Sequence, residues 1–287
     1  MKHFLDLAVQ GRDRIERCLN EALRLKKDPF SQALENKTLV MIFEKPSNRT
    51  RLSFEIGMQQ LGGRTVVLQA HEIGWPDREP MKDLAQVMGR YADAVMIRCF
   101  SHRDLNDFAL ASDKPVINAL TDFSHPCQAL ADALTLKENF GDLKGLPMTY
   151  VGDVNNVLRS LWDIAYLLEM RLTVSCPTEF ATNLPNHVHF EENPLKASKG
   201  AKALYSDVWV SMGQEKERDA RLKQFAAYQV SDEVMAQADK EAIFLHCLPA
   251  ERGLEVAASV IDGSQSRVYD QAENRMHAQK ALLLDLL

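Results

Sequence analysis

The sequence predicts an α/β protein of two doubly wound domains, each with a mainly parallel sheet flanked by helices. Three observations predict it. Short apolar runs rich in β-formers alternate with amphipathic stretches along the chain, the pattern of parallel strands joined by crossover helices. The alternation breaks once, at Gly141-Asp142-Leu143-Lys144-Gly145-Leu146-Pro147, and then restarts. The 287 residues exceed one ordinary core and suit two. The expected domains are residues 1–145, with a C-terminal helix of about 270–287 packing back on them, and residues 146–269. Sites in this architecture lie at the carboxyl ends of strands and between domains, so the active site is expected in the interdomain cleft.

The elements follow in order. Residues 38–43 (TLVMIF) read as a buried strand, and a polar loop leads to a helix from about Thr50 to Leu61, stopped by Gly62-Gly63. Residues 65–68 form the next strand, 81–91 a helix with Leu84, Val87 and Met88 on one face, and 94–97 and 115–117 two further strands. A helix spans His125 to Phe140. After the break, 148–151 is a strand, 156–170 a helix, and 172–174, 208–210 and 242–245 are strands. A helix from about Glu273 to Leu286 ends the chain.

Composition narrows the class. Hydrophobic residues make up 46% and charged residues 26%, the profile of a globular protein. With 34 basic and 40 acidic residues the net charge is −6, which argues against a general nucleic-acid binder. No signal-peptide core or bilayer-length apolar run is visible, so no membrane partner is expected. The cysteines, Cys18, Cys99, Cys127, Cys176 and Cys247, are odd in number and scattered, with no CxxC pair. That pattern fits a reducing cytoplasm and neither a disulfide framework nor a zinc ribbon.

The loops after the strands carry the chemistry. Phe43 to Arg51 joins a strand to a helix whose free N–H groups attract anions, and Ser47, Thr50, Arg49 and Arg51 add hydroxyls and guanidinium forks. It reads as a phosphate cradle without Walker residues, or as a capped helix with two exposed arginines. Arg98 follows a strand and points into a crevice or forms a surface ion pair. Pro126 suits a first helical turn, which sets His125 and Gln128 on a similar face. His125 can donate to a carbonyl becoming an oxyanion and Gln128 can bond an amide, or His125 merely caps. Gly152-Asp153-Val154-Asn155-Asn156 has one glycine where a dinucleotide fingerprint needs three. Its two amides fit a zwitterion, or simple N-capping. Asp207 suits an ammonium or an ordinary turn. Cys247 reads as a nucleophile, a polar lining residue or a buried small hydrophobe. Arg275 faces the crevice or solvent.

Taken together, Ser47-Asn48-Arg49-Thr50-Arg51 and His125-Pro126-Cys127-Gln128 resemble the carbamoyl-phosphate motifs of the aspartate/ornithine transcarbamylase family. Asp207 with Ser211-Met212-Gly213, and His246-Cys247-Leu248-Pro249, resemble the ornithine branch. The resemblance runs from about residue 2 to residue 286. It implies transfer of a carbamoyl group from carbamoyl phosphate to the δ-amine of L-ornithine by direct attack, with no metal and no cofactor. It places carbamoyl phosphate on Ser47, Asn48, Arg49, Thr50, Arg51, Arg98, His125, Gln128, Cys247, Leu248 (through its backbone) and Arg275. Ornithine falls to Asn155 or Asn156, Asp207, Ser211 and Met212, and the catalytic set is Arg98, His125, Cys247 and Asp207. The resemblance also implies a homotrimer, or a multiple of trimers, working in the cytoplasm, with a role in arginine biosynthesis. Asn48 stands where the family often has Thr or Met. The alternatives are a transcarbamylase for another amine and a non-catalytic paralogue.

Overall fold

The structure, a computed structural model, describes residues 3–75, 78–211 and 213–287. The chain forms two compact units, Met1–Leu134 with Glu273–Leu287, and Thr135–Ala272. The first contains α1 (Arg12–Lys27), β1 (Thr38–Phe43), α2 (Asn48–Gln60), β2 (Arg64–Gln69), a short α3 (Ala70–Ile73), α4 (Met81–Tyr91), β3 (Ala94–Arg98), α5 (His102–Ala111) and β4 (Val116–Leu120). Helix α6 (Pro126–Phe140) begins there and ends in the second unit. The second contains β5 (Pro147–Val151), α7 (Asn156–Leu167), β6 (Arg171–Ser175), β7 (His189–Phe190), α8 (Pro194–Ala197), β8 (Ala203–Tyr205), α9 (Arg218–Phe225), α10 (Asp232–Gln237), β9 (Ile243–Leu245) and α11 (Ala258–Ile261). Helix α12 (Val268–Leu286) leads back into the first.

Both sheets are parallel. The first has the order β2-β1-β3-β4 and the second β7-β6-β5-β8-β9. Helices on both faces explain why β1 and β3 are unbroken apolar runs rather than alternating ones; every residue of β3 and all but the first of β1 is buried. Each sheet reverses its winding once, between β1 and β3 and between β5 and β8. Ligands of open α/β sheets sit beyond the carboxyl ends of the strands at such reversals. Ser47 and the first turn of α2, through Arg51, follow β1, and Arg98 ends β3; Gly152 to Asn155 and the start of α7 at Asn156 follow β5, and Asp207 follows β8. Among the described residues, no helix is long and apolar enough to cross a membrane.

Two sequence expectations need correction. Residues 208–210 form no strand; the strand lies earlier, at Ala203–Tyr205, paired with β5 and β9. Trp209 is buried against Phe225, with ring centroids 6.2 Å apart, and its carbonyl accepts a hydrogen bond from Arg221. Its apolar character therefore reports core packing rather than a ladder. Helices α5 and α1 are among those with no counterpart in the expected elements, and α1 is the longer. It buries Ile15, Cys18, Leu19, Ala22 and Leu25, a clear helical stripe, but the segment is dominated by charge and starts at Gly11 with no side-chain cap.

The C-terminal helix closes on α2 through a buried cation. A Cβ at Gly57 would come within 3.1 Å of Lys280 Cγ, so the glycine lets the Lys280 stem lie against α2. Lys280 Nζ donates to the Pro29 carbonyl at 2.5 Å and to Gln60 Oε1 at 2.8 Å. Burial, and next the charge of Arg24, push its ammonium down to about 8. An unfolded lysine titrates near ~10.4. Between those values the unfolded chain holds the extra proton, so this group's contribution to stability grows as pH rises through the window. Urea melts should therefore show the stability difference between the parent and Lys280→Met shifting toward the parent from pH 8 to about pH 10. A difference independent of pH would refute this account of Lys280.

Candidate functional site

In the first unit, the loop after β1 turns into α2 at Ser47, whose hydroxyl accepts the Thr50 N–H at 3.3 Å. Thr50 is thereby fixed in the first turn, and its own hydroxyl becomes a meeting point. Arg275 Nη2 donates to it at 3.0 Å and Arg98 Nη1 at a long 3.5 Å. Arg275 Nη1 also donates to Gln128 Oε1 at 2.8 Å and meets His125 Nε2 at 3.3 Å. Gln128 Nε2 donates to Asp132 at 2.8 Å, which fixes the amide orientation. Thr50, Arg98, His125, Gln128 and Arg275, from three helices, the residue preceding α6 and the end of β3, thus form one cluster, none more than 8% exposed. Two guanidinium groups on one hydroxyl build strong local positive potential within a protein of net charge −6.

The field acts on His125. Burial first, then Arg275, Arg98, Arg49 and Lys45, hold its imidazole well below the usual histidine range. The ring is therefore neutral near pH 7. Arginine only donates, so His125 Nε2 accepts here and Nδ1 carries the proton. Lys45 is buried under the loop, paired with Asp122 and 4.0 Å from the centre of the Phe100 ring. Asn48 and Arg49 are exposed at the mouth of the loop. Arg51 is also exposed and pairs with Glu55 one turn on, at 3.1 Å, so it is outside the buried cluster.

In the second unit, Asn155 caps α7, its side-chain oxygen accepting from the Val157 and Leu158 N–H groups. Its Nδ2 donates to Asp207 Oδ2 at 2.7 Å, while the Cys247 thiol donates to Asp207 Oδ1 at 3.1 Å. A carboxylate 5% exposed is thus gripped on both oxygens by neutral donors. Asn156 is the first residue of α7 and half-buried, and Ser211 donates its N–H to Gln214. Met212 lies outside the described residues. The residues 207–211 are braced by Arg221, which donates to the Trp209 carbonyl at 2.6 Å and pairs with buried Asp153 at 2.5 Å. Burial raises the Asp153 carboxyl, and Arg221 opposes that shift.

Arg221 and Asp153 had no place among the sequence candidates, because Arg221 sits on a short, mostly exposed helix and its partners are distant in sequence. One polar atom each of Asp207, His246 and Cys247 lie within 4.8 Å of one another, a geometry that could hold a metal ion. The fit is poor, since both His246 nitrogens already meet protein groups, the Leu248 N–H and Glu255. A cavity of about 460 Å³ opens at the other ends of β5 and β6, lined by Arg171, His187, His189 and Lys199 among others, and holds none of these site residues.

Comparison with known proteins finds two domain models along the chain, the second of which runs on through the C-terminal helix. Residues 2–138 match the carbamoyl-P binding domain, and residues 144–286 the Asp/Orn binding domain, of aspartate/ornithine carbamoyltransferase. The chain is 47% identical to an ornithine carbamoyltransferase of Symbiobacterium thermophilum, over 98% of this chain and 96% of that protein. It is 44% identical to one of Archaeoglobus fulgidus, over 100% and 98%. The crystal structure of ornithine carbamoyltransferase from Thermus thermophilus superposes with a TM-score of 0.93 at 40% identity, over 100% of this chain and 99% of that one. An N-acetyl-L-ornithine transcarbamylase mutant complexed with PALAO gives 0.89 at 31% identity, over 100% of both chains. A buried arginine pair beside a neutral histidine, a buried carboxylate held by Asn155 and Cys247, and family matches spanning both units lead to one conclusion: the chain belongs to the aspartate/ornithine carbamoyltransferase family.

Proposed function

We propose that this protein transfers the carbamoyl group of carbamoyl phosphate to the δ-amine of L-ornithine, giving L-citrulline and phosphate. The observation that carries the reading is the Thr50 hydroxyl shared by Arg98 and Arg275, with His125 and Gln128 bonded into the same cluster. Carbamoyl phosphate binds the first domain, residues 1–145 with about 270–287, on Ser47, Asn48, Arg49, Thr50, Arg51, Arg98, His125, Gln128 and Arg275. Residues 146–269 take ornithine on Asn155 or Asn156, Asp207, Ser211 and Met212, and supply Cys247 and Leu248 to the carbamoyl group.

The neutral amine attacks the carbamoyl carbon, a C–N bond forms, and a tetrahedral oxyanion collapses with loss of the C–O bond to phosphate. The nitrogen gives up its proton, for which the departing phosphate is an acceptor. Arg98 and His125 stabilise the oxyanion. Donation by His125 from Nε2 requires the tautomer opposite to the one that its contact with Arg275 sets. A bound phosphate supplies the cause: its charge draws Arg275 away and frees Nε2 to carry the proton. Asp207 favours free ornithine over its N-acetyl derivative, because an acetylated amine brings no cation to a buried carboxylate. We extend the reading to a cytoplasmic homotrimer, or a multiple of trimers, acting in arginine biosynthesis.

A colorimetric citrulline assay tests this. Ornithine should be carbamoylated, and aspartate, putrescine and N-acetylornithine should react at least about a hundredfold more slowly, since a buried polar group left unpaired rejects its substrate strongly. Preference for another amine would replace the acceptor, and no product with any would favour a non-catalytic paralogue.

A further inference from the structure

His246 belongs to the His246–Pro249 segment, yet the proposed reaction gives it no role. It follows β9 directly and is 1% exposed. Its Nδ1 accepts the Leu248 N–H at 2.9 Å. An accepting Nδ1 places the ring proton on Nε2, which lies 3.1 Å from Glu255 Oε1. Glu255 is also 1% exposed, and the same oxygen accepts the Glu251 N–H at 2.7 Å. On the other side, the His246 N–H donates to Gln271 Oε1 at 2.8 Å, and Gln271 reaches the Tyr205 hydroxyl at 3.3 Å. The ring is therefore gripped from backbone and side chain alike.

What this grip holds is a strained turn. Leu248 has φ +57°, a left-handed conformation that a bulky side chain avoids. Such residues persist where their surroundings over-determine them, and they gather at functional sites. Here the closing hydrogen bond runs from the strained residue's own N–H to the ring two positions earlier. Between the two lies Cys247, whose thiol meets Asp207.

We propose that His246 is a positioning residue: its Nδ1 pins the left-handed turn at Leu248 and thereby sets the Cys247 thiol against Asp207, while Glu255 fixes the ring tautomer. The effect on turnover rests on the ornithine reading above; the effect on the thiol does not. Asparagine places its amide oxygen where Nδ1 sits, whereas glutamine reaches the position of Nε2. The test compares His246→Asn with His246→Gln, both on Glu255→Gln, which removes the buried charge and keeps an acceptor for Glu251.

The asparagine variant should retain kcat within about threefold of the Glu255→Gln parent, and the glutamine variant should lose about tenfold, the worth of one hydrogen bond. Peptide-mapped alkylation by iodoacetamide should modify Cys247 faster in the glutamine variant; the other four cysteines are buried. Equal losses and equal alkylation in both would overturn the proposal and leave His246 a purely structural residue. If Glu255→Gln does not fold, the same pair on the native background gives the comparison. A wild-type protein that makes no citrulline would defeat the ornithine reading yet leave the alkylation contrast in force.

Discussion

His125→Ala should lower kcat by two to three decades at saturating substrates while the melting temperature changes little. One preorganised oxyanion donor contributes about 3–4 kcal/mol to such reactions, which corresponds to a factor of roughly a hundred to a thousand. His125 is suited to that role by its setting. It is 4% exposed, and burial and four nearby cations keep it neutral, so it offers a donor without bringing a further charge to a site already rich in them. Its partner Arg275 has other acceptors in Thr50 and Gln128, so truncation leaves that guanidinium engaged. Stopped assays of citrulline at saturating carbamoyl phosphate and ornithine would measure the loss. A kcat within tenfold of the parent would take His125 off the catalytic set.

The second large effect is on pH. An alkylamine with a pKa near ~10.4 is only about a thousandth neutral near pH 7.4. If the neutral amine attacks, kcat/KM for ornithine should climb about tenfold per unit, or about a hundredfold from pH 7 to pH 9. His125 does not cut into that climb. Its ring is held neutral by burial and by the positive charge of Arg275 and its neighbours, so it gains no proton near pH 7. A flat profile over the same range would mean that the enzyme captures the ammonium form and removes its proton with a group of its own.

Much of this arrangement was legible in the chain, and the reasons differ by residue. Strands such as β1 and β3 are buried on both faces, so their apolar runs stand out in sequence. The segment 208–210 looks the same in sequence, yet Trp209 is buried by ring packing rather than by pairing. Composition cannot separate the two causes. Helix α1 was hidden because its exposed face carries most of its charge. Arg98, His125, Gln128 and Arg275 were legible as loop and cap residues following strands or starting helices. That Arg275 reaches Thr50, 225 positions earlier, required the fold. Arg221 and Glu255 show the limit of local reading, since each acquires its meaning from a buried partner on another element.

The first unit is discontinuous: residues 273–287 join it only after the whole of 135–272 has been made. Ribosomes add roughly 5–20 residues per second, so the nascent first unit waits on the order of ten seconds for its last helix. That helix brings Arg275, one of the two arginines on the Thr50 hydroxyl, and Lys280, whose ammonium ties Pro29 to Gln60. All four strands of the first sheet are therefore made before the helix that carries Arg275. The face of α2 at Gly57, which the Lys280 stem covers, has no such cover until that helix is made.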